Sequence, residues 1–133
     1  MKKVILFIFL ALGIISFSAE YSNGKAVKLR LVRISSTEYK FWLTYDPVKD
    51  GIGEDEPFKA RETRDEIGVA VKNGDSYYYE GESYGEICQI KITEKSKKVK
   101  VETNKACSGQ DHYDGNYKYS GETSKRDAEL MSD

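Results

Sequence analysis

The sequence predicts an all-β fold: a small antiparallel meander, closed or nearly closed into a barrel of about six to eight strands and stapled by one disulfide. Three observations lead there. Apolar residues recur with a period of two in run after run, and helical periodicity is almost absent. Turn residues separate the runs at short intervals. The two cysteines, Cys88 and Cys107, bracket the clearest hairpin.

Residues 1–19 predict an export signal rather than a part of the fold. Lys2 and Lys3 precede an apolar run from Val4 to Ile15 that only Gly13 interrupts, and Ser16 and Ser18 supply the small residues of a cleavage site after Ser18 or Ala19. The run is shorter than the roughly 20 residues of a spanning helix, so cleavage is expected rather than anchoring. No cysteine lies near the cut to carry a lipid. About 115 residues remain, enough for one modest core. They divide into a β domain over 20–121 and a polar tail over 122–133, disordered or briefly helical.

Within the domain, Val27, Leu29 and Leu31 alternate with Lys28 and Arg30, the signature of a half-buried strand. After Ser35-Ser36 the apolar face is Tyr39, Phe41, Leu43 and Tyr45, so these two runs predict a hairpin. Ile67, Val69 and Val71 lead into Asn73-Gly74, the strongest short turn signal in the chain. The return strand over 76–80 has two registers open. A two-residue turn directs Tyr78 inward, whereas a three-residue loop directs Tyr77 and Tyr79 inward.

Next, Cys88, Ile90 and Ile92 share a face, as do Val99 and Val101. A turn over 94–97 would pair Ile92 with Val99 and Ile90 with Val101. Cys88 then falls opposite Thr103, and the chain must fold back to bring Cys107 within bridging distance. The disulfide is thus expected to pin the 104–114 loop over the end of the sheet. A last strand over 116–120 is expected to bury Tyr117 and Tyr119. The segment between Asp46 and Glu66 is a long charged loop, with a short edge strand expected at 58–61; loops of this length are commonly functional or disordered.

Charge and composition exclude several functions. Without Lys2 and Lys3, 19 basic side chains face 22 acidic ones, a net charge near −3. Nucleic-acid binding usually demands a basic surplus, so none is expected. The lysine-rich stretch at 94–98 reads as a solvated hairpin tip. An even, minimal cysteine count in an exported chain reads as one disulfide, and the spacing lacks the C-x-x-C of a redox or metal pair.

Asp111-His112-Tyr113-Asp114 holds the only histidine. A metal site or acid–base centre there competes with a plain polar loop, and one His with two Asp is a thin ligand set. The run Asp50, Glu54, Asp55, Glu56 invites a calcium reading, but Val48 occupies a ligand position of the pattern begun at Asp46. No cofactor and no metal are expected. Ten Tyr, five Phe and one Trp make aromatics the more telling feature, and alternation turns Trp42 away from the apolar face. An outward Trp is either a contact residue or is covered by the 46–66 loop or the tail.

Gly68-Val69-Ala70-Val71-Lys72-Asn73-Gly74 followed by Tyr77–Tyr79, then Cys88-Gln89-Ile90-Lys91-Ile92, Val99-Lys100-Val101, Cys107 and Asp114-Gly115-Asn116-Tyr117, resembles a loose group of small exported bacterial β-barrel proteins with one disulfide. The resemblance covers about residues 25–120 and implies the fold and the bridge, not an activity. In size and compartment the chain is also distantly similar to periplasmic lysozyme inhibitors. It lacks their Ser-Gly-x-x-Tyr loop, of which Tyr119-Ser120-Gly121 is the nearest fragment.

The expected function is therefore a non-enzymatic binding module, periplasmic or secreted and without a membrane anchor after cleavage. It would contact protein or a saccharide through loops and exposed aromatics. Candidate binding residues are Trp42, Asp50, Glu54, Asp55, Glu56, Asp111, His112 and Tyr113. The alternatives are a lysozyme-inhibitor-like protein and a structural or adhesion-type envelope subunit pairing through an exposed edge strand.

Overall fold

The structure, a computed structural model, describes residues 18–24 and 26–131. The export signal up to residue 17 lies outside the described residues. Eight strands follow one another around a closed antiparallel barrel: β1 (Ser18–Asn23), β2 (Val27–Ser35), β3 (Glu38–Tyr45), β4 (Arg64–Asn73), β5 (Ser76–Ser83), β6 (Glu86–Lys95), β7 (Lys98–Thr103) and β8 (Gly115–Gly121). Closure comes from β1 pairing with β8. Two short helices, α1 (Phe58–Arg61) and α2 (Lys125–Met131), and one 3-10 turn (Gln110–Tyr113) complete the described chain. The Cys88–Cys107 disulfide is present. Such a bridge fits an oxidising compartment.

The β2–β3 hairpin has the expected pairing and faces. Leu29 lies opposite Leu43 and Leu31 opposite Phe41, all fully buried. Burying one face is what enforces this strict alternation. β1 is a strand beyond those expected. Over its described residues, Ser18–Asn23, it turns Ala19 and Tyr21 inward.

The β4–β5 hairpin departs from the expectation in an instructive way. Its turn is the two-residue one, with Asn73 paired to Ser76 and Gly74 at φ +70°. Yet Tyr77 is buried and Tyr79 points inward, while Tyr78 faces out. Both hold because Ile67, Val69 and Val71 are on the outer wall, and Glu66, Gly68 and Ala70 line the interior. The interior side of β4 must be small because rings fill the space. A Cβ on Gly68 would stand 2.3 Å from the Tyr79 ring, and one on Gly81 would stand 2.1 Å from its hydroxyl. Tyr79 in turn packs edge-on against Phe41, with centroids 4.8 Å apart.

Three other expectations are corrected. The β6–β7 register is longer by two residues: Ile92 pairs with Val101 and Ile90 with Thr103, because a tight turn at Ser96-Lys97 extends both strands. Residues 58–61 form a helical turn rather than a strand, entered from Pro57. Tyr117 is buried as expected, but Tyr119 is half exposed at the barrel rim, edge-on to Tyr21. The tail is helical over α2, and Asp127 at its start meets Arg30.

Antiparallel meander topology sends alternate connections to opposite ends. One end carries the short β2–β3, β4–β5 and β6–β7 turns. The other carries β1–β2, the 46–63 loop, β5–β6 and the disulfide-bearing 104–114 segment. All long connections therefore share one end, where rigid scaffolds usually carry binding residues.

Candidate binding site at the loop end of the barrel

The wall of this end is built by the chain that leaves β7. Asn104 prolongs the ladder with its side chain: its Oδ1 accepts from Gln89 N–H (3.1 Å) and its Nδ2 donates to Ile87 O (2.7 Å). Three residues later, Cys107 is bridged to Cys88, with Cα atoms 4.6 Å apart. Gly109 then lies flat over the Tyr113 ring, where a Cβ would be 2.4 Å from Cζ. Residues 104–114 are thus tied at both ends and through the middle.

Beneath this wall lies Glu66, a carboxylate turned into the barrel. Its Oε1 accepts from Ser83 Oγ (2.6 Å) and from Ser108 N–H (2.7 Å). Ser108 Oγ donates to Asp65 O (2.6 Å), which leaves it to accept from Tyr113 Oη at 2.9 Å. Tyr117 Oη donates to Tyr113 O (2.7 Å). Buried polar groups persist when satisfied in this manner. Burial foremost raises the phenol pKa of Tyr113 and Tyr117 well above the ordinary value, with Glu66 and Asp65 adding to it at Tyr113. The network joins β4, β5 and the 104–114 segment where β4–β5 backbone pairing, confined to Val71–Tyr78 and the turn, no longer does so.

Above the network opens a cleft of about 520 Å³ lined by α1 and the residues after it (Lys59, Glu62, Arg64), by the β5–β6 turn (Tyr84, Glu86) and by the wall (Lys105, Gln110). Tyr84 is its most exposed aromatic, at 86%. The turn Tyr84-Gly85 has φ +52° and +81°, positive at both central positions as a type I′ hairpin requires. Asn, Asp or Gly favour the first of these positions; Tyr does not. Lys105 (φ +67°) and Gln110 (φ +51°) are likewise left-handed, so three of the four non-glycine residues with positive φ among those described line this one cleft. Lys105 Nζ donates to Asp114 Oδ2 at 2.8 Å, which raises the pKa of the ammonium.

A second cleft, of about 560 Å³, lies at the same end. Here His112 stacks face to face on Tyr45, with centroids 4.0 Å apart and planes within 8°. Tyr45 Oη donates to Asp50 Oδ2 (2.9 Å). Burial and then the Asp50 carboxylate push the Tyr45 phenol up to about 12.

The structure therefore brings Asp50 and His112 together through Tyr45, two candidates separated widely in sequence. Asp111 is exposed beside them in the 3-10 turn, while Tyr113 is fully buried and serves the core network. Glu54, Asp55 and Glu56 are exposed along the 46–57 loop. Among the described residues no group of three or more His, Cys, Asp or Glu is placed to hold a metal. Trp42 is elsewhere, on the outer wall. Arg30 lies over its ring at 4.6 Å and is held there by Asp127 of α2 (2.9 Å) and Glu20 (3.4 Å), so the tail's helix braces the cover on Trp42. Sequence reasoning passed over Tyr84 and the exposed Phe58 of α1. The available signal was Tyr84-Gly85 between two strand runs, an aromatic where turn chemistry favours Asn.

No protein-family model matches the chain, and comparison with curated proteins and with solved structures returns no match.

Proposed function

We propose that the chain is an exported, non-enzymatic binding module whose ligand surface is the loop end of the barrel, centred on Tyr84. The observation that carries this reading is the exposed tyrosine held at φ +52° in a cleft it shares with two further left-handed residues. Strained backbone collects at ligand-contacting sites because stability alone would remove it. The rest of the end supports recognition rather than turnover. Glu66 is committed to Ser83 and Ser108, Asp50 to Tyr45, and His112 to its stack. Export rests on the basic n-region, the apolar run and the bridge.

The test is Tyr84→Asn. Asparagine tolerates the left-handed turn, so the variant should be more stable by about 1 kcal/mol, while a ring-dependent ligand is lost. Wild type and variant are compared by thermal melting and by capture from envelope extract, a lysozyme panel and a glycan array. A melting point raised by about 4 °C together with capture weakened tenfold or more supports the proposal. Unchanged capture of every ligand bound by wild type refutes it.

A further inference from the structure

We infer that the Tyr84 cleft takes a neutral oligosaccharide, with a sugar ring stacked on Tyr84; this rests on the binding-module reading above. The lining decides the class. Cationic donors (Lys59, Arg64) alternate with carboxylate acceptors (Glu62, Glu86), Gln110 both donates and accepts, and Lys105 is neutralised by Asp114. Charges close to balance give no net field to attract an ion, yet supply donors and acceptors in equal measure. Vicinal hydroxyls, each donor and acceptor at once, match such a surface. The apolar residues of the lining are Tyr84, Ala106 and Cys107. One exposed ring in a polar cleft suits the C–H face of a pyranose better than a lipid chain or an apolar peptide anchor, which would need a greasy pocket.

Rigidity strengthens the case. Sugars gain little per hydrogen bond, because each replaces one to water. A site for them has to be held in place beforehand. Here the floor is clamped by Glu66 to Ser83 and Ser108, the wall is bridged through Cys107, and the aromatic stands on a two-residue turn. At about 520 Å³ and open to solvent, the cleft has room for a few linked rings.

The experiment is calorimetric titration of wild type, Tyr84→Asn and Tyr84→Trp with chitotetraose, cellotetraose and maltotetraose, and with tetragalacturonate as the anionic contrast. At least one neutral tetrasaccharide should bind at millimolar concentration or below, independently of salt. Tyr84→Trp should retain that binding and Tyr84→Asn should weaken it tenfold or more. Binding of tetragalacturonate alone, with steep salt dependence, overturns the inference. So does binding of no sugar while a protein is captured in a Tyr84-dependent manner, an outcome that leaves the binding module standing. Sugar and protein capture both indifferent to Tyr84 overturns the two together.

Discussion

The interior of β4 offers a sharp quantitative prediction. Gly68 and Gly81 have unstrained backbones, so replacing either with alanine would ordinarily stabilise by about 0.4–1 kcal/mol through the unfolded state. The Tyr79 ring reverses the sign. An added methyl would lie 2.3 Å from Tyr79 Cε1 in Gly68→Ala, and 2.1 Å from Oη and 2.6 Å from Cζ in Gly81→Ala. Comfortable contact between carbon atoms is about 3.5–4.0 Å, so the ring must move by about 1 Å or more. It cannot do so without disturbing its edge-on contact with Phe41. Such overpacking costs about 1–3 kcal/mol. In a Tyr79→Ala background the space is free and the ordinary gain returns. Urea denaturation of wild type, Gly81→Ala, Tyr79→Ala and the double variant measures the coupling, expected to be about 2 kcal/mol in favour of the double variant. Effects that add to within about 0.5 kcal/mol would show that the ring does not occupy this place.

Further expectations concern the bridge, the tyrosines and the tail. Replacing both Cys88 and Cys107 with alanine opens a loop of 19-residue separation, which the chain-entropy relation values at about 3 kcal/mol; the melting point should fall by roughly 10 °C. Burial raises the folded-state pKa of Tyr39, Tyr113 and Tyr117 above the ordinary 10.0, and holds Tyr45 at about 12. Above pH 10 the unfolded chain therefore releases protons that the folded one keeps. Stability is full below that pH and declines through about 12, and the share of tyrosinate absorbance that belongs to these four tyrosines should appear together with unfolding in an alkaline titration. Asp127→Ala removes a largely buried partner of Arg30 and should cost about 1.5–3 kcal/mol; with Glu20 the carboxylate left to hold it, Arg30 should loosen from the indole and Trp42 fluorescence should redden. An unchanged emission maximum would mean that α2 does not hold that cover.

What could be read from the sequence follows from what a period of two encodes. Leu29, Leu31, Phe41 and Leu43 were legible because they alternate with Lys28, Arg30, Lys40 and Thr44, and only one orientation hides the apolar set while leaving the charges in water. In β4 the same pattern misleads. Alternation separates the faces without saying which is inside, and Tyr79 decides that by needing Gly68 across from it. The β6–β7 register escaped for a related reason. Shifting a pairing by two residues keeps every side chain on its face, so Ile92 against Val99 and Ile92 against Val101 look alike until the turn length is known. The loop end was legible in composition and illegible in geometry. Asp50 and His112 stood out as residue types, but the Tyr45 stack that joins them exists only once the barrel brings the 46–63 and 104–114 connections to one end. Tyr84 was hidden for the opposite reason, since nothing in a residue's identity states its φ. Its departure from turn preference is the observation on which the proposed binding role rests. The same closure that gives the small barrel its stability, with Cys107 bridged and Glu66 hydrogen-bonded to Ser83 and Ser108, lets one turn carry the cost of about 1 kcal/mol for presenting a tyrosine to solvent. A chain selected for stability alone would place asparagine there.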